Sequence, residues 1–153
     1  MARHYGGTAS TDKMVALTVP MANAARGVLF ALKSVAIADN SRILITTGVQ
    51  LMTLIYRTTS GGQIRFVSNH ATTNGEWSIN VSGLTLTNWN WFAIAYSGVA
   101  GEVPVIYHAA DGAAAFATVT VTTITASVGA ATTDTSTAVE VGNNATNTTP
   151  ANS

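Results

Sequence analysis

Short apolar runs, most of them alternating with polar residues, recur along the whole chain and are separated by turn-forming clusters. Alternation of period two sends successive side chains to opposite faces, so each run reads as a strand with at least one buried face. The pattern predicts strands over Lys13–Val19, Gly27–Ala36, Arg42–Thr47, Gln50–Thr58, Gln63–Ser68, Glu76–Val81, Trp89–Ser97, Val103–Ala109, Ala115–Thr125 and Ala138–Gly142. Ser60-Gly61-Gly62, between LMTLIYRT and QIRFVS, reads as a hairpin loop, and Thr73-Asn74-Gly75 and Asp111-Gly112 as further turns. Only Met21–Ala36 carries competing signals. Ala24, Ala25, Leu29, Ala31 and Leu32 favour a helix, whereas Gly27 and the alternating Val28, Phe30 and Leu32 favour a strand. The second half is assigned to a strand, with a helical turn allowed over Met21–Ala25. Many short strands at this spacing predict an all-β fold, an antiparallel β-sandwich.

Parity along Trp89–Tyr96 places Trp89, Trp91, Ala93 and Ala95 on one face and Asn90, Phe92, Ile94 and Tyr96 on the other. Both faces are apolar, which predicts a central and largely covered strand. Phe92, Ile94 and Tyr96 are assigned to the core. Trp89 and Trp91, beside small alanines, are expected to face the second sheet or a partner subunit, with a sugar-stacking platform as a third reading. Trp77 follows Asn74-Gly75-Glu76 at a strand start and is the best candidate for an exposed aromatic. With Asn69, His70 and Asn74 close in sequence, it forms a candidate polar-aromatic patch for a partner or a glycan; ordinary edge packing is the competing reading.

Composition narrows the function classes. At 153 residues the chain suits a single β-sandwich domain, with the polar stretch 143–153 as a loop or flexible end. Charged residues make up 9%, and seven Lys and Arg balance seven Asp and Glu. A chain so neutral has no long-range field with which to attract phosphate backbones or anionic lipid, so no nucleic-acid or membrane partner is expected. Ala and Thr supply about a third of the residues, far above average usage. Such a surface lacks the charges that usually prevent association, and it reads as one covered by neighbours. Cysteine is absent, which excludes disulfides and thiolate metal sites. The opening MARHYGGTASTDK holds no apolar signal-peptide core, so synthesis in the cytoplasm is expected.

Several landmarks occur in a recognisable order. His4-Tyr5-Gly6-Gly7-Thr8 is followed by Ile43-Leu44-Ile45-Thr46-Thr47-Gly48, Gln63-Ile64-Arg65-Phe66, Trp91-Phe92-Ala93-Ile94-Ala95-Tyr96, and Val105-Ile106-Tyr107 with Asp111-Gly112. Together they resemble laminin-G-like, concanavalin A-like jelly-roll domains, whose strands carry Ile-Leu-Ser-x-Gly, Trp-x-x-Val-Ala and Tyr-x-Asp-Gly patterns. Gly6 stands where that family commonly has Asp. Val139-Glu140-Val141-Gly142 is similar to a Gly-terminated strand that in the family precedes a closing Phe-x-Gly-x-Ile strand. The chain stops within the intervening loop, so the resemblance implies an open sheet edge beside the first strand. The low charge and Ala/Thr bias look most like the versions of this domain in bacteriophage virion proteins.

Catalytic and metal chemistry find little purchase. A retaining glycosidase needs carboxylates about 5–5.5 Å apart, which two residues two positions apart on a strand supply. No two of Asp12, Asp39, Glu76, Glu102, Asp111, Asp134 and Glu140 have that spacing. His4, His70 and His108 are solitary and show no metal-ligand spacing. Asp111 suits a turn better than a Ca²⁺ site. The sequence therefore predicts no enzyme, no cofactor and no bound metal. The expected role is a virion structural component, either capsid decoration or cement or a tail or fibre part. It would assemble as a homo-oligomer, for which a trimer is the specific expectation, and with other virion proteins. A carbohydrate-binding, lectin-like module is the alternative.

Overall fold

The computed structural model describes residues 13–15, 24–33, 39, 41–46, 51–58, 61–133 and 139–142. Every described element is a strand: β1 (Lys13–Val15), β2 (Arg26–Leu32), β3 (Ser41–Thr46), β4 (Met52–Arg57), β5 (Gln63–Ser68), β6 (Gly75–Asn80), β7 (Asn90–Tyr96), β8 (Val105–Ala110), β9 (Ala117–Thr118), β10 (Thr122–Thr125) and β11 (Val139–Gly142). They form a seven-stranded sheet, in the order β1-β11-β3-β4-β5-β6-β10, and a four-stranded sheet, β2-β7-β8-β9. All pairings are antiparallel. The protein is an all-β antiparallel sandwich, as the periodicity predicts. The 143–153 stretch, the opening at 4–8 and residues 21–23 lie outside the described residues; Ala24 and Ala25 are not helical.

The core is built in rungs that follow from strand register. On the large sheet Leu54, Phe66 and Trp77 are directly opposed across β4, β5 and β6, as are Tyr56, Ile64 and Ile79. On the small sheet Phe30, Phe92 and His108 form one rung, and Val28, Ile94 and Ile106 another. The two sets of rungs face each other and enclose one hydrophobic cluster. Within it Phe92 stacks on Phe30 at 5.2 Å between ring centroids. Each fully buried aromatic or aliphatic side chain contributes about 1.5–3 kcal/mol by leaving water.

The predicted strand Ala115–Thr125 divides in two. Residues 117 and 118 pair with β8 of the small sheet, and Val119 N–H still donates to the Ile106 carbonyl at 2.9 Å. Three residues later Thr122 is opposite Ser78 of β6 in the large sheet. The segment therefore crosses from one sheet to the other, while Val119 and Val121 keep packing on the core. Its side-chain alternation survives the crossing; its hydrogen-bond partners change. Two of the predicted turns form: β4 and β5 join as a hairpin across Gly61 and Gly62, and Gly112 takes a positive φ of 76° in the Asp-Gly turn. Thr73-Asn74-Gly75 does not, because the bend falls at Ala71-Thr72, Thr73 bridges Val128 and Gly75 opens β6.

Candidate functional site

Asn69, His70, Asn74 and Trp77 are close in space, yet they do not form an exposed patch. Trp77 is 1% exposed. Parity explains the correction: Trp77 shares the inward face of β6 with Gly75 and Ile79, so the loop before it cannot turn it outward. Its indole packs on Phe66 at 5.7 Å and Tyr96 at 4.9 Å. Gly75, two positions earlier on the same face, is the missed signal. A Cβ there would stand 2.0 Å from the ring of Trp77, so the strand needs a glycine where the indole folds back over it.

His70 is also buried, at 6% exposure. Its loop is clamped by the segment 127–132: Ala71 N–H donates to the Ala130 carbonyl at 2.9 Å, Val128 N–H to that of Thr73 at 2.9 Å, and Thr132 N–H to that of Asn69 at 3.0 Å. A carbonyl can only accept, so the 2.8 Å contact of His70 Nδ1 with Gly129 O fixes the ring proton on Nδ1. The other ring nitrogen, Nε2, lies 3.0 Å from the Tyr96 hydroxyl. That hydroxyl also lies 3.1 Å from Ser127 Oγ and 3.1 Å from the Val99 carbonyl. Asn74 is exposed at the loop tip but spends Oδ1 on the His70 N–H, at 3.0 Å. The cluster is thus a polar seam between the two sheets. Arg26, buried on β2, extends it by donating to the carbonyls of Ala24, Ala25 and Thr132. Desolvation holds the Arg26 guanidinium below its ordinary pKa, partly offset by Tyr96.

Among the described residues the carboxylates are dispersed. Glu76 pairs with Arg65 at 2.8 Å on the outer face of the large sheet, and Glu102 accepts from the Ser97 hydroxyl at 2.5 Å. Among the described residues no group of three or more His, Cys, Asp or Glu is placed to hold a metal ion. His108 packs on the Phe92 ring at 5.0 Å and donates from Nε2 to Asn90 Oδ1 at 2.9 Å. The amide of Asn90 is oriented by its donation to the Thr85 and Asn88 carbonyls, at 3.1 and 3.0 Å. Burial lowers the pKa of His108, because the charged ring would lose hydration there.

The remaining candidates, Trp89 and Trp91, lead to a real surface. Phe92, Ile94 and Tyr96 point into the core as expected, but the opposite face of β7 is not covered: Trp91 is 44% exposed. In register with it stand Ala31 of β2 and Ala109 of β8; one rung on, Ala93 lies between Leu29 and Tyr107, and Ala95 between Gly27 and Val105. Within β2, β7 and β8 the positions on this outward face carry no charged side chain; Lys33 and Asp111, each one residue past its strand, stand exposed at the Trp89 end. Leu29 is 67% exposed and Val105 44%. Trp91, Leu29, Ala109 and Phe116 border a cleft of about 290 Å³ whose remaining wall is the glycine- and alanine-rich stretch after β8. Trp89 flanks it, half-buried, with its ring 6.5 Å from that of Trp91 and Lys33 Nζ 5.8 Å from the Trp89 ring centroid. The outer face of the large sheet differs in kind: it bears Arg57, Arg65 and Glu76, with Arg57 3.5 Å from Asp39.

No protein-family model, no curated protein and no solved structure matches the chain.

Proposed function

We propose that the protein is a non-enzymatic structural component of a bacteriophage virion, of the kind that decorates or cements a capsid or builds a tail or fibre. The observation that carries this reading is the uncharged outward face of the small sheet, with Leu29, Trp91 and Val105 open to water. An antiparallel sheet with one solvated face ordinarily alternates apolar-in with polar-out. A contiguous apolar face on the solvent side marks a surface that neighbours cover, and covering it gains about 25 cal/mol for each Å² removed from water. The low charge, the Ala/Thr bias and the resemblance to laminin-G-like domains of phage particles support the same assignment. The test is mass spectrometry of particles purified from cells that carry the gene in its native setting. The chain is expected to co-sediment with particles at a fixed, multi-copy stoichiometry. Recovery only in the particle-free fraction defeats the reading.

A carbohydrate-binding role is the second reading, supported by the exposed indole of Trp91 facing a cleft shared with Phe116. Flat aromatic faces stack on sugar rings. Sugar hydroxyls, however, also need polar partners, and the side chains bordering this cleft are apolar. A glycan array with wild type and Trp91→Ala separates the readings, since a structural subunit should leave every glycan unbound.

A further inference from the structure

We propose that the outward face of the small sheet binds the same face of a second copy of this chain, forming a two-fold face-to-face pair. The inference rests on the assembly role argued above and names the partner at that surface.

Charge is the first argument. The positions facing outward on β2, β7 and β8 are Gly27, Leu29, Ala31, Trp91, Ala93, Ala95, Val105, Tyr107 and Ala109, none of them charged. A charged partner laid over these positions would lose hydration with no counter-charge among them, and the charges at the Trp89 end, Lys33 and Asp111, are one of each sign. A face without charge is complementary to itself, and the chain's zero formal net charge adds no repulsion between copies. Shape is the second argument. The face combines raised side chains, Leu29 and Trp91, with a floor of glycine and alanine and with the cleft beside Phe116. Two copies related by a two-fold axis bring the ridge of each onto the floor of the other, as in isologous interfaces generally. Facing sheets then stand about 10 Å apart, the ordinary sandwich spacing.

Area sets the strength. Seven-residue strands rising about 3.4 Å per residue and spaced about 4.8 Å apart give a footprint of roughly 400 Å² per copy. The pair therefore buries on the order of 800 Å², below the roughly 1,200–2,000 Å² of stable complexes. Pairing is accordingly weak and concentration-dependent in free solution, and it gains from multiplicity in an array.

Sedimentation equilibrium from about 1 μM to about 1 mM tests the proposal, with circular dichroism confirming that each variant is folded. The wild type is expected to double its mass on concentration. Leu29→Lys and Val105→Lys, at opposite sides of the face, are each expected to raise the dissociation constant at least tenfold. Ile124→Lys is the control: Ile124 is 43% exposed on β10 of the other sheet, and this change should leave pairing intact. A wild type that stays monomeric, or that forms a trimer, overturns the proposal. So does loss of pairing in Ile124→Lys. A dimer lost in Leu29→Lys but retained in Val105→Lys also overturns it, because that result assigns pairing to the free edge of β2. Particle association is measured separately, so the virion reading and the face-to-face pair can fail independently.

Discussion

Trp77 and Gly75 act as one unit. The indole occupies the space that a side chain at position 75 would fill, and the ring in turn packs on Phe66 beside it and on Tyr96 across the gap between the sheets. Gly75→Ala is therefore an overpacking change, expected to cost about 1–3 kcal/mol in urea unfolding. Gly83→Ala, where an added Cβ meets nothing within 4 Å, serves as the control. In a Trp77→Phe background the same Gly75→Ala change should cost clearly less, and an undiminished cost there would remove the indole as the cause. His108 gives a second residue-level expectation. Its folded pKa is lowered by burial, so the unfolded chain takes up a proton before the folded one does. Its contribution is complete above the ordinary histidine pKa of about 6.5 and is lost progressively as pH falls from there through the lowered folded-state value. Between pH 7.5 and 5.5 the wild type should lose more stability than His108→Gln, whose amide can still donate to Asn90. Equal losses would clear His108 of responsibility.

Among the elements, β5 shows what a strand signal reveals. Its bounds match the alternation in QIRFVS at both ends, because the inward Ile64 and Phe66 are large and both neighbours, β4 and β6, pair with it along its full length. The region 115–125 is illegible for a physical reason: alternation reports which way a side chain points, and says nothing of which strand takes its hydrogen bonds. The crossing from β9 to β10 keeps the first and changes the second. The candidate site is legible in the same partial way. Parity correctly groups Trp91 with Ala93 and Ala95 and opposes them to Phe92, Ile94 and Tyr96, but it cannot show that only one of those faces is covered. For Trp77, proximity to a loop points outward and parity with Ile79 points inward, and parity wins because the strand pairs with β5 from its first residue. This topology also predicts uneven local stability. Hydrogen exchange should find the Ile64–Val67 amides at least about tenfold more protected than those of Thr122–Thr125, since β10 is an edge strand with its register broken between Thr123 and Thr125. Comparable protection would mean that the edge of β10 is itself covered in solution.

For the whole molecule, the decisive feature is the contrast between its two outer faces. The large sheet presents ion pairs, Arg65 with Glu76 and Arg57 with Asp39, as a water-facing surface does. The small sheet presents Leu29, Trp91, Val105 and alanines. An association driven by the second face must respond to salt as a hydrophobic contact responds. Ionic interfaces weaken as the Debye length shrinks from about 10 Å at 0.1 M to about 3 Å at 1 M. Removal of apolar surface is not screened, and sulfate strengthens it by being excluded from the protein surface. The self-association constant should therefore hold steady or rise between 0.1 and 1 M sodium chloride, and rise further when sulfate replaces chloride at equal ionic strength. Light scattering across such a salt series reads this directly. An association that fell steeply with chloride would have to run through the Arg57, Arg65 and Glu76 surface, and the uncharged face would then be covered by something other than a second copy.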